Sequence, residues 1–552
     1  MEECQIKGLK MNYTYRSRIF KGSIGLAVIL LLGCANLVDL PSPFAQFDSS
    51  VKSSPQLQCA SLGGVIFNSD SPSRRATVLS AMEVAAGPIP LGTPSPTFPP
   101  MRAAQQLPAY CKVKAVISPS IGVEIWLPLS NWNGRFQAVG THRFAGELDY
   151  GDMAYQLSRG YAVASSDAGH SGQAALPWMQ NTQQIVDYGY RGVHEMTLLS
   201  KKIVTAFYGR ANFYSYFNGC STGGKEALME AQRYPHDFDG ISAGDPNHDQ
   251  IGNRAQYIWN AQATLQKEST KIQTHHLKLI HQKVLDQCDA LDGVKDGSIE
   301  DPRRCHFEPS GLLCTSGKSA DTCLSDEQVG ALKKLYDGPK NPRTGARIYS
   351  GWSPGSELGW GGVIAGPNVF PTADLFFKNM VFKDSNWSYK NFDFDSSIQF
   401  AVSQFGAIVN ADDPDLVRFE KNGGKLLHYH GWKDTNHAPM QSVEYYESVL
   451  KNLQGNSSRE QVIKRTHNFY RLFMSSGSTG CASSGNLPSE FDPMDALTVW
   501  VEKNQAPERI LVVRKTNGQI DRSRPLCPYP QVANYTGSGD TNEAANFVCQ
   551  VP

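Results

Sequence analysis

Two short runs rich in apolar and β-branched residues end in turn residues and predict buried strands: "YAVASSDAGH" (161–170) and "NFYSYFNGCS" (212–221). The second feeds "TGGKEALMEAQRYP", where Ala227, Leu228, Ala231 and Tyr234 recur at helical spacing until Pro235 stops the run. A further strand follows in "DFDGISAGDP" (237–246). The pattern breaks near Pro246. From there to about residue 395 the chain is rich in Gly, Pro, Trp and Cys, and "GWSPGSELGWGGVIAGPNVFP" (351–371) is its loopiest part. So long a stretch between core elements predicts an inserted domain, not one loop. Regular structure returns at "GGKLLHYHGWKD" (423–434), a strand ending in a charged turn.

A serine stands at the first strand-to-helix turn. Residues 217–224 read "FNGCSTGG", and Gly219-Cys220-Ser221-Thr222-Gly223 fits G-x-S-x-G. Glycines on both sides of a serine allow the tight, strained turn that lifts a hydroxyl clear of the backbone. Strand, helix and strand around such a serine predict an α/β-hydrolase fold with Ser221 as candidate nucleophile. The catalytic domain is expected to comprise 57–245 and 396–552, with a lid domain over 246–395.

Charge narrows the partners. Lys+Arg and Asp+Glu balance at 52 each over 552 residues, so there is no electrostatic footprint for nucleic acid. At the N-terminus, Arg16, Arg18 and Lys21 precede "IGLAVILLLG", the right length for a signal-peptide core. Residues 1–34 are therefore expected to direct export. "LLGC" at 31–34 is similar to a bacterial lipobox, which would leave Cys34 lipidated; ordinary cleavage shortly after Cys34 is the alternative. Membrane attachment is expected only through such an anchor, with a periplasmic, outer-membrane or extracellular location. Residues 35–56 read as a polar tether. Nothing in the sequence fixes an oligomeric state.

Setting aside Cys4 and Cys34 leaves ten of the twelve cysteines, an even number that favours disulfides in an exported chain. Proximity in sequence suggests Cys59–Cys111, Cys288–Cys305, Cys314–Cys323 and Cys527–Cys549. Cys220 and Cys481 remain as the fifth pair, which would tie the serine turn to the loop carrying Cys481.

The stretches "WNGRFQAVG", "GCSTGGKEALMEAQRYPHDFDGISAGDP", "CDALDGVKDGSIEDPRRC", "HGWKD" and "RPLCPYPQVANYTGSGDTNEAANFVC" resemble the tannase and feruloyl esterase family of serine esterases, which includes MHETase-like enzymes. The resemblance spans roughly residues 56–552. It implies hydrolysis of aromatic-acid esters (galloyl, hydroxycinnamoyl or terephthaloyl) through an acyl-enzyme. By that resemblance Ser221 is the nucleophile, Asp434 the acid, and Cys220–Cys481 the bridge beside them. The oxyanion hole would use the Thr222 N–H and one from the 140–143 loop. The lid aromatics Trp352, Trp360, Phe370, Phe376, Phe377 and Trp387 would offer a stacking wall.

Two positions depart from the family pattern. The family's closing segment reads P-G-M-G-H-C-G-G-G, whereas this chain has "SGSTGCASSG" (476–485), with Gly480 where the base should stand. Arg143 aligns where a glycine would supply an oxyanion donor. A serine needs a positioned base, and an aspartate alone does not replace it. Among thirteen histidines, His437, three residues after Asp434, is the first candidate for a relocated base and His142 the second. His428 and His430 are expected to be structural. The alternative is a catalytically impaired homologue that binds aromatic esters or acids without turnover.

"CDALDGVKDGSIED" (288–301) sets Asp289, Asp292 and Asp296 in one tight loop. Three carboxylates so close call for a cation, and hard oxygens suit Ca²⁺. The resemblance adds the carbonyls of Val294 and Ser298. Such an ion would be structural, fixing the lid far from the chemistry.

Overall fold

The computed structural model describes residues 55–68, 75–89, 106–172, 177–315, 320–364, 368–481 and 487–552. The export segment with Cys34, and the tether up to residue 54, lie outside the described residues.

Ten strands build one mixed sheet: β1 Ile66–Phe67, β2 Ala76–Val84, β3 Tyr110–Ile117, β4 Ile121–Pro128, β5 Arg135–Val139, β6 Ala162–Ser166, β7 Tyr214–Cys220, β8 Gly240–Gly244, β9 Lys425–Gly431 and β10 Tyr470–Ser475. Their spatial order is β1-β2-β3-β4-β6-β5-β7-β8-β9-β10. Pairing is antiparallel from β1 to β4 and across β4–β6, then parallel through β10. β6 and β8 are buried at every position, as parallel strands covered on both faces must be. Neighbouring residues face opposite layers. Phe217 and Leu426 pack with Met196, Ile203, Ala227 and Leu228 of the helices Gly192–Tyr208 and Thr222–Arg233. Tyr216 and Leu427 pack with Met153 and Leu157 of Tyr150–Ser158 and with Leu497 and Trp500 of Pro493–Lys503. The three layers and the central strands fit an α/β-hydrolase-like fold.

Register brings the carboxyl ends of three strands together, because Cys220 pairs with Gly244 and Gly244 with Tyr429. Ligand sites in open α/β sheets form at this edge.

Between β8 and β9 the described chain adds no strand to this sheet. It forms a core of its own, with Leu277, Ile280, Leu332, Leu335, Trp352 and Trp360. A second core joins Ile251, Tyr257, Phe376 and Phe377 to Phe144, Trp178 and Tyr188. Trp352, Trp360, Phe376 and Phe377 are thus buried packing residues and do not form an open stacking wall. Phe370 stacks on Tyr257 at 4.6 Å and Trp387 on Phe382 at 5.9 Å. All five expected disulfides are present. No helix among the described residues is long and apolar enough to cross a membrane.

Candidate active site

β7 ends at Cys220 and a helix begins at Thr222, so Ser221 must turn the chain within one residue. It does so at φ 62°, ψ −113°, a region that costs a non-glycine residue about 1–3 kcal/mol. Small neighbours make the turn feasible: a Cβ on Gly219 would lie 2.5 Å from Gly223 O. The backbone is pinned. Ser221 N donates to Gly244 O at 2.9 Å, and its carbonyl accepts from Lys225 N at 3.0 Å and Asn247 N at 3.1 Å. The side chain is half-buried, and no described side chain hydrogen-bonds to its hydroxyl.

The loop after β5 packs beside this turn. Glu226 holds Thr141 from both sides, accepting from its N–H at 2.8 Å and its hydroxyl at 2.6 Å. Burial pushes the Glu226 carboxyl up, although Lys225 and Thr141 oppose this. Arg143 adopts φ 51°, the left-handed conformation a glycine would take freely, with its side chain exposed. The Thr222 hydroxyl donates to Arg143 O, fastening the loop to the start of the helix. The Thr222 N–H, first of its helix, has no acceptor in the preceding turn.

Asp434 lies buried on the turn after β9, its N–H donating to Gly431 O at 3.0 Å. One carboxylate oxygen accepts from Asn436 N at 2.7 Å; the other meets His437 Nδ1 at 3.1 Å and His430 Nε2 at 3.4 Å. Burial alone would raise this carboxyl, but the two imidazoles hold it well below the usual carboxylate range. His437 Nε2 makes no hydrogen bond among the described residues. His142 is differently engaged: its Nε2 meets Asp149 Oδ2 at 2.7 Å, at the start of the helix Tyr150–Ser158. His428 is buried between Tyr470 and Ser442, each at 2.8 Å.

The segment 475–480 runs beside this turn, with Trp432 N on Ser475 O at 2.7 Å and Lys433 N on Ser478 O at 3.1 Å. It delivers Gly480, at φ 112°, against the acid: a Cβ there would lie 3.3 Å from Asp434 Cγ. The next residue, Cys481, is bonded to Cys220 with Cα atoms 5.9 Å apart. Ser221, Asp434 and Gly480 are therefore held in one cluster.

Two participants escape sequence reading. His430 reaches Asp434 only because the strand end and the following turn fold back on each other. Asp245, at φ 39°, accepts from Gly431 N at 2.8 Å, and burial pushes its carboxyl up to about 7 despite His430 nearby. Neither spacing carries a recognisable motif.

The acidic loop sits closer to this cluster than expected. Lys433 Nζ donates to Gly297 O at 3.3 Å, Ser298 Oγ to Ser476 O at 3.3 Å, and Ser476 Oγ to Glu300 at 2.6 Å. It braces the segments that carry Asp434 and Gly480, which corrects its expected remoteness. Asp289 Oδ1 accepts from the N–H groups of Asp296, Gly297 and Ser298 at 3.1–3.2 Å, while Asp296 pairs with Arg522 and Arg524. Asp292 is half-buried with one amide donor, Val294 N at 3.0 Å, and no ion pair among the described residues, the Arg524 charge acting on it from a distance. Burial first, then the charge of Asp296, pushes its carboxyl up to about 6.

Similarity to known proteins follows the same framework. The chain is 35% identical over 520 residues to an uncharacterized esterase of Xanthomonas campestris, covering 86% of this chain and 88% of that one. It is 31% identical over 473 residues to a probable feruloyl esterase B-1 of Aspergillus oryzae, covering 80% and 84%. Among solved structures, feruloyl esterase B from Aspergillus oryzae superposes with a TM-score of 0.79 at 29% identity, covering 88% of this chain and 98% of that one. Tannin acyl hydrolase from Aspergillus niger, at 19% identity, a TM-score of 0.72 and coverage of 86% and 91%, shares the fold. Residues 105–550 match the family described as tannase and feruloyl esterase, and the chain belongs to that family.

Proposed function

We propose that this protein hydrolyses carboxylic esters of aromatic acids, with Ser221 as nucleophile, Asp434 as acid and His437 as relocated base. One observation carries the reading: His437 Nδ1 bonds the Asp434 carboxylate while its Nε2 makes no bond, on the cluster that holds the Ser221 elbow. A triad base needs that orientation, one ring nitrogen on the acid and the other for the serine proton. Ser221 Oγ attacks the ester carbonyl carbon as His437 takes its proton. The oxyanion is held by the N–H groups of Thr222 and Arg143. Collapse expels the alcohol, which receives that proton. Water, deprotonated by the same imidazole, then cleaves the acyl-enzyme to the acid and free Ser221.

Ca²⁺ in the 288–301 loop is part of the proposal, held by Asp289, Asp292 and Asp296 with the Val294 and Ser298 carbonyls. Support comes from Asp292, a half-buried carboxylate that makes no ion pair among the described residues and whose carboxyl is pushed up by burial and by Asp296 even though the Arg524 charge opposes this. Its contribution would be to fix the loop against Lys433 and Ser476; no chemical step involves it.

A second reading, an impaired homologue that binds without turnover, is favoured by one observation. No described side chain hydrogen-bonds to the Ser221 hydroxyl, and Gly480, beside Asp434, offers no base. Hydrolysis of p-nitrophenyl acetate and methyl ferulate by wild type and Ser221→Ala decides between them. Turnover lost in the variant supports the enzyme; equal inertness supports the binder.

A further inference from the structure

Four arginines are buried among the described residues: Arg254, Arg471, Arg522 and Arg524. Arg471 pairs with Glu508 at 3.0 Å, and Arg522 and Arg524 share Asp296. Arg254, only 4% exposed, has no carboxylate at ion-pair distance among the described residues. Its side-chain acceptors are neutral amides. Nη1 donates to Asn253 Oδ1, and with the Asn247 amide turned to face it, that oxygen lies 3.3 Å from Nη1 and Nη2. Nε has no partner among the described residues. A guanidinium cannot shed its proton, so burying one against neutral groups is unfavourable unless an anion joins it.

Its surroundings belong to the proposed cleft. Asn247 N donates to Ser221 O, and Asn253 Nδ2 donates to Asn436 O on the Asp434 turn. The guanidinium carbon lies 5.5 Å from the ring of Phe144, which directly follows Arg143. Phe144 packs edge-on to Trp178 at 6.2 Å, and Trp178 lies 5.0 Å from Tyr188. Trp178 Nε1 is buried without a hydrogen-bond partner among the described residues, and His170 stacks on that indole at 4.2 Å. One uncompensated cation therefore lies over the Phe144 ring, at the end of an aromatic cluster that runs through Trp178 to Tyr188.

We propose that Arg254 is an anion subsite of the Ser221 cleft, selecting ligands that pair an aromatic ring with a carboxylate. Such ligands are esters with a second acid group and the aromatic acid released by hydrolysis. The assignment rests on reading the Ser221 neighbourhood as the substrate cleft. Planar, bidentate pairing with carboxylate is what a guanidinium does best.

The test is binding of sodium benzoate against neutral benzamide, read by calorimetry and thermal shift on the full chain. Ser221→Ala, Arg254→Met and Arg254→Gln are compared with wild type. Benzoate is expected to bind wild type and Ser221→Ala at least about tenfold more tightly than benzamide, the size of one charge-assisted contact. Both Arg254 variants should lose that preference, and their unliganded melting temperatures should equal or exceed that of wild type. Equal affinity for benzoate and benzamide in wild type overturns the proposal, as does an unchanged preference in a folded Arg254 variant. If neither variant folds, Arg254 is structural and the proposal fails. Benzoate preference without ester hydrolysis sinks only the esterase reading; hydrolysis without that preference sinks only the subsite.

Discussion

Gly480 packs against the carboxylate of Asp434: a Cβ built on it would sit 3.4 Å from each of the two oxygens. Asp434 therefore faces a residue with no side chain on that side, and its carboxylate is engaged by His437 and His430 instead. Gly480→His is expected to lower stability by about 1–3 kcal/mol, because φ 112° disfavours any side chain. It should nonetheless raise kcat on an aryl ester by at least about tenfold, since it sets an imidazole between an intact acid and serine. Thermal melts and steady-state rates on one preparation check both, and a variant that folds without gaining rate contradicts the expectation.

His437 is the imidazole that engages Asp434 now. His437→Ala should reduce aryl-ester kcat by at least about 100-fold, the ordinary contribution of a general base. His142→Ala should leave it nearly unchanged, because that ring is taken up by Asp149. The reverse pattern would move the base to His142.

The Cys220–Cys481 bridge spans 261 residues of sequence and fixes the elbow to the Gly480 turn. Replacing both cysteines by serine should cost about 2–5 kcal/mol and also lower kcat. Denaturant melts with parallel assays check this; lost stability at full rate would mean that the bridge serves only the fold.

Asp245 provides a pH test. Its folded-state value, about 7, lies above its ordinary value of 3.8, so the folded chain keeps a proton that the unfolded chain loses between them. The stability it contributes is present at low pH and falls as pH rises through that window. Asp245→Asn cannot ionise and keeps an acceptor for Gly431 N–H. Its melting temperature relative to wild type should climb from about pH 4 to about pH 8. A flat difference would remove the titration.

Chelation by EGTA should lower the melting temperature and, through Lys433–Gly297 and Ser476–Glu300, also lower kcat. Re-added Ca²⁺ should restore both. A melting temperature insensitive to chelator would leave Asp296 neutralised by Arg522 and Arg524 alone.

Much of this arrangement is legible before any coordinates. The elbow announces itself because a strained serine between glycines has few sequence solutions, and five cysteine pairs follow from parity and proximity. Apolar runs give β6, β7, β8 and β9 because parallel central strands are buried on both faces. What is not legible depends on distant turns meeting. His430 touches Asp434 across a strand end, Asp245 enters from the turn after β8, and the acidic loop leans on Lys433. Arg254 is as hidden, since an unpaired buried charge is defined by what fails to surround it. The lid aromatics mislead for a related reason: composition does not separate a packed Trp360 from one lining a cleft.

Labelling with a fluorophosphonate, followed by peptide mass spectrometry, measures most directly whether Ser221 is an activated nucleophile. The expected result is one phosphonyl adduct on the peptide carrying Ser221, formed in wild type and strongly slowed in His437→Ala. An unmodified Ser221 in folded wild-type protein, under conditions that saturate an active serine esterase, would contradict it.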